Sequence, residues 1–132
     1  MKEMDIVNSI LEGLNQLPMA SFNRINNVPT WNKKTKSYNR LSRFSPKGSS
    51  DICGCYKGHY VAIEVKTPLE YNWVLQFYNR IKDQLYTYVP QTKKEDHVLN
   101  QIRFIDKKIS CGGIGFFTYS LQNTLEQLER IS

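Results

Sequence analysis

No apolar run in the 132 residues is long enough to cross a bilayer, so a membrane-spanning class is not expected. The opening MKEMDIVNSILEGL is charged and amphipathic and lacks the apolar stretch of a signal peptide. Cysteine is scarce and odd in number. Cys53 and Cys55 lie too close along one strand to bridge without strain, which speaks against a disulfide framework and for a reduced, cytoplasmic setting. Cys53-Gly54-Cys55 with Cys111, His59 and His97 does not match the usual zinc-ligand spacings, so small packing residues are the simpler reading. No basic amphipathic helix supports a membrane-surface role. There is no internal repeat, low-complexity tract or linker, and a 40% hydrophobic content suits one domain over residues 1–132 with a modest core.

Acidic residues are absent altogether from Gly13 to Ser50, within a chain of net charge +6. That stretch carries Arg24, Lys33, Lys34, Lys36, Arg40, Arg43 and Lys47, interleaved with Trp31, Tyr38 and Phe44. Cations for phosphates and aromatics for bases are the footprint of a nucleic-acid contact surface, and DNA is the expected partner. A solvated basic loop with locally packed aromatics is the competing account of the same residues.

Periodicity predicts the elements. Ile6, Val7, Ile10, Leu11 and Leu14 form one stripe of a helix over 3–16, stopped at Pro18, and a short strand is expected over 19–25. Trp73, Phe77, Ile81, Leu85 and Tyr88 predict an amphipathic helix that Pro90 closes, with Trp73 and Phe77 as core. After a polar, turn-like 91–97, a helix is expected over about 96–110 with Val98, Ile102, Ile105 and Ile109 inward, ended by Gly112-Gly113. A strand over 114–119 and a final helix capped by Ser120, carrying Leu121, Leu125, Leu128 and Ile131, complete the chain. The order implies an α/β fold with a mixed central β-sheet flanked by helices.

The segment Ser49 to Lys66 reads SSDICGCYKGHYVAIEVK. Lys57-Gly58 between β-rich runs predicts a two-residue hairpin turn, which pairs Tyr56 with His59 and brings Asp51 opposite Glu64, Cβ atoms ~5 Å apart. Val61, Ile63 and Val65 then face a core. Tyr60, Ala62, Glu64 and Lys66 share the other face with Asp51, Cys53 and Cys55, where small residues leave room for a ligand. His59 beside the turn is expected to be exposed. Like charges facing across a ladder destabilise it and call for a cation. Two opposed carboxylates suit Mg²⁺ or Mn²⁺, which favour oxygen ligands. A lysine ~7 Å further along the same face can orient a water or offset charge on a pentacoordinate phosphate.

The run Gly48-Ser49-Ser50-Asp51-Ile52, Gly54, and Ala62-Ile63-Glu64-Val65-Lys66 resembles the PD-(D/E)xK nuclease superfamily. More narrowly it is similar to the virus-type replication-repair nuclease (VRR-NUC) domains encoded by phages, relatives of archaeal Holliday junction resolvases. Met1 to Val7, Arg24-Ile25-Asn26-Asn27, and Gln101 followed by Gly112-Gly113 and a strand extend the likeness. The resemblance implies a restriction-endonuclease-like core with a helical insertion over about 67–97, in a protein of the host-cell cytoplasm if phage-encoded. It implies that Asp51, Glu64 and the Val65 carbonyl hold a metal, Mg²⁺ or Mn²⁺, with Glu3 as the helix-1 acid. Lys66 and Gln101 complete the catalytic set, although Gln76 and Gln84 also lie on helices after the motif. Ser50 stands where the superfamily's name puts proline. The implied activity is metal-dependent hydrolysis of DNA phosphodiesters, on structured or branched DNA. Cutting two strands symmetrically needs two sites, so the resemblance also implies a homodimer. The alternative is a nucleic-acid-binding module that uses the fold without cleavage.

Overall fold

A computed structural model describes residues 2–25, 31–38 and 50–131. Among them a four-stranded open sheet has the order β1 (Ala20–Arg24), β4 (Ile52–Tyr56), β5 (His59–Val65), β6 (Ile114–Thr118). The β1–β4 and β4–β5 pairs are antiparallel and β5–β6 is parallel, giving the mixed sheet expected from the element order. A separate two-stranded ladder pairs β2 (Trp31–Asn32) with β3 (Ser37–Tyr38). The described helices are α1 (Glu3–Leu14), α2 (Pro68–Ile81), α3 (Lys93–Ser110) and α4 (Leu121–Ile131).

The β4–β5 register is the one the turn residues dictate, from Tyr56 opposite His59 to Ile52 opposite Ile63. Lys57 and Gly58 have φ of 49° and 83°, the paired positive values of a tight turn that follows the strands' twist. Gly54 is required by a close approach: a Cβ there would sit 2.1 Å from the Ser21 carbonyl oxygen on β1.

Both faces of the sheet are covered. On one, Val61, Ile63 and Val65 join Phe22, Ile52, Ile114 and Phe116 under the apolar stripe of α1 (Ile6, Val7, Ile10, Leu14) and Leu128 of α4. On the other, Phe104 and Ile105 of α3 pack on Ala62. The small Ala62 side chain on this second hairpin face thus makes room for α3, which fills the space beside it. α2 lies against α3 through Val74, Phe77 and Ile81 facing Val98, Leu99 and Ile102.

The helix expected to run to Pro90 stops at Ile81 and tightens into a 3₁₀ turn, Lys82–Gln84. A straight continuation would separate Leu85 and Tyr88 from the core. Instead the chain folds back, Tyr88 meets Phe77 edge-on at 5.7 Å, and Arg103 donates to the Leu85 and Tyr88 carbonyls at 3.1 and 3.4 Å. α3 starts at Lys93, earlier than expected, because the Thr92 hydroxyl accepts from the Glu95 N–H at 3.1 Å. Buried Glu95 also accepts from Arg80, the Tyr88 hydroxyl and the Gln91 N–H, tying the connection to α3. Ile109, expected inward, is half exposed at 51% in the last turn of α3, and Ile131 at the end of α4 is half exposed at 50%. Ser120 caps α4 by accepting from the Asn123 N–H at 3.0 Å. Among the described residues, no helix is long and apolar enough to cross a membrane.

Candidate functional site

The site forms where β5 ends, against the middle of α3. Glu64 is only 2% exposed, and Gln101 donates Nε2–H to its Oε1 at 2.8 Å across 37 residues of chain. Gln101 is thus the glutamine brought to the motif. Gln76 is on the exposed side of α2, beside Trp73 and Arg80, and Gln84 is in the 3₁₀ turn. Glu64 Oε2 and Gln101 Oε1 are buried with no hydrogen-bond donor among the described residues.

Asp51 lies one step beyond the last ladder pair of β4 and is half-buried. Its backbone carbonyl accepts from the Ile25 N–H at 2.8 Å, and its Oδ2 accepts from the Val65 N–H at the same distance. This puts its carboxylate at the end of β5, beside Glu64. Burial first, then the Asp51 charge and a hydrogen bond between the two carboxyls, push Glu64 up to about 10, while Lys66 pulls the other way. As a carboxylate, Glu64 has an oxygen without a donor. Protonated, it can donate to Asp51. The pair can therefore share one proton between its members.

Lys66 is 8% exposed, and its N–H donates to the Thr118 carbonyl at 2.9 Å, fixing the backbone just past the strand. Glu3, on the first turn of α1, is exposed, but burial and the Asp51 charge raise its carboxyl, against the pull of Lys66, with Glu70 adding to the rise. The chain thus brings Glu3, Asp51, Glu64, Lys66 and Gln101 into one electrostatic neighbourhood. The Val65 side chain is buried in the core, and its backbone borders the site. Among the described residues, no three His, Cys, Asp or Glu side chains converge into a metal-holding group by themselves.

Of the basic residues, Arg24 is exposed at the end of β1, next to the strand that leads from Asp51. Lys33, Lys34 and Lys36 are exposed in the turn joining β2 to β3, so this part of the segment is a hairpin tip rather than a plain loop. Arg40, Arg43 and Lys47 lie outside the described residues. His59 is exposed. An apolar cavity of about 210 Å³ lined by Tyr71, Leu75, Tyr78, Ile109 and Phe117, among others, shares no residue with the acidic cluster.

Sequence reasoning missed the surroundings of Asp51. Ser50 is fully buried, with Oγ 3.1 Å from the Ile52 carbonyl and 2.9 Å from Cys53 Sγ. The Tyr60 hydroxyl donates to the same sulfur at 3.0 Å, and burial and that contact hold it well above the usual phenol range. The hairpin register, which puts Tyr60 opposite Cys55 and within diagonal reach of Cys53, was the available signal. No protein-family model matches the chain, and no curated protein matches it significantly.

Proposed function

We propose that the chain is a divalent-metal-dependent deoxyribonuclease of the PD-(D/E)xK type, VRR-NUC-like, acting on structured or branched DNA. One observation carries this reading. A buried glutamate with an unpartnered oxygen stands beside an aspartate one step past the paired end of β4, with a nearly buried lysine two residues on. A structural ion pair would leave no such oxygen unsatisfied, because an unpaired buried polar group costs about 1–3 kcal/mol.

The donors fit a hard cation. Asp51 and Glu64 would hold it, and the Val65 carbonyl can join them, because in an extended strand it points to the same side as the Val65 N–H that meets Asp51. Glu3 stands near enough to act through its charge. Bound there, Mg²⁺ or Mn²⁺ supplies Lewis-acid polarisation of a phosphoryl oxygen and a more acidic water. Glu64 would give up its proton to such a cation, and the 2.8 Å bond from Gln101 Nε2 to Glu64 Oε1 orients the carboxyl. Lys66, fixed at its backbone by Thr118, presents an ammonium to the water or to charge developing on phosphorus. The exposed lysines of the β2–β3 turn and Arg24 offer phosphate contacts.

The test is purified protein against a panel of branched and linear DNAs with Mg²⁺, Mn²⁺, Ca²⁺ or EDTA. Cleavage with Mg²⁺ or Mn²⁺ and none with EDTA is the expected result. Salt-sensitive binding with no cleavage under any ion would overturn it in favour of a binding module.

A further inference from the structure

Asp51 is held more tightly than a residue just outside a strand usually is, and the holding groups form a chain with a direction. Serine has one hydroxyl proton. The Ser50 hydroxyl donates it to the Ile52 carbonyl at 3.1 Å, so in the 2.9 Å contact with Cys53 the thiol is the donor and the serine oxygen the acceptor. The Cys53 sulfur in turn accepts from the Tyr60 hydroxyl at 3.0 Å. Three donors therefore point the same way, from half-exposed Tyr60 inward to the backbone that flanks Asp51. Lys108 sits over the Tyr60 ring, 5.4 Å from its centre.

The chain closes a loop around one residue. Ser50 and Ile52 are the immediate neighbours of Asp51, and the bond between them fixes the backbone on both sides of the carboxylate. We propose that Ser50 is a positioning residue for Asp51, acting with Cys53 and Tyr60 through this hydrogen-bond chain to set the aspartate for cation binding. The proposal rests on the reading of Asp51 and Glu64 as cation ligands. Without that bond the backbone around Asp51 has more conformations to lose, and a ligand that must be ordered at binding loses affinity to that ordering. Holding Asp51 in place beforehand, with its Oδ2 already on the Val65 N–H, removes part of that loss.

The experiment is calorimetric titration of the full chain with Mn²⁺ alone, beside thermal unfolding without metal, for wild type, Ser50→Ala, Cys53→Ala, Cys53→Ser and Tyr60→Phe. Ser50→Ala and Cys53→Ala should each weaken Mn²⁺ binding about three- to tenfold, the weight of one buried hydrogen bond. Cys53→Ser, whose hydroxyl both donates and accepts, should restore affinity to within about twofold of wild type. Tyr60→Phe, at the half-exposed end and the variant safest for folding, should lose about two- to threefold. Folded alanine variants with wild-type affinity would overturn the inference. So would a loss that Cys53→Ser does not rescue, since that is the mark of packing alone. Wild type that takes up no Mn²⁺ would overturn the metal reading and this inference with it, whereas wild-type binding with unaltered variants overturns this inference only.

Discussion

Replacing Glu64 with glutamine separates the two ways in which the Asp51–Glu64 pair can be neutralised. In the metal-free chain the Glu64 carboxyl stands at about 10, against 4.5 for an ordinary glutamate. Across that window the folded state holds a proton that the unfolded chain has released. Stability from this group is complete below 4.5 and is lost as pH rises toward about 10. From about pH 6 to about pH 8, two pH units inside that window, wild type should lose roughly 3 kcal/mol. Glu64→Gln has no such titration. The introduced amide keeps the length, can accept from Gln101 Nε2, and can donate to Asp51 or to the unpartnered Gln101 Oε1. In EDTA, the melting temperature of wild type relative to the variant should therefore fall by about 10 °C over that pH range, for a domain of this length. With saturating Mg²⁺ at the higher pH, wild type should regain stability by mass action and the variant should not. A wild-type-to-variant difference that stays constant with pH in EDTA would refute the shared-proton account.

Lys66→Met should lower single-turnover cleavage about 10²–10³-fold while binding in Ca²⁺ changes much less, and a wild-type rate would remove Lys66 from the chemistry. Neutralising Lys33, Lys34 and Lys36 together should reduce the salt dependence of DNA binding by up to ~3 phosphate contacts, and an unchanged slope would return them to a solvated turn. Phe77→Ala, at a side chain 2% exposed between α2 and α3, should cost about 3–5 kcal/mol in denaturant unfolding. A cost below about 1 kcal/mol would mean that α2 is not part of the cooperative core.

What the sequence determined by itself was local. Two turn residues with positive φ and a period of two fix the register of one hairpin. That register alone brings Asp51 beside Glu64, with Lys66 two residues on. The period of 3.6 likewise marks the buried stripe of α1, and Ser120 marks the start of α4. Periodicity says that a face is covered, but not by what. The burial of Ala62 and Glu64 under α3, and the choice of Gln101 over Gln76 and Gln84, depend on how an 18-residue helix docks across the sheet. The early end of α2 depends on Phe77 and Arg103 drawing the chain back, against a pattern that still reads as helix through Tyr88. The carboxylates were legible because they are opposite one another in a hairpin. The groups that desolvate and orient them come from distant segments, and only tertiary packing brings those together.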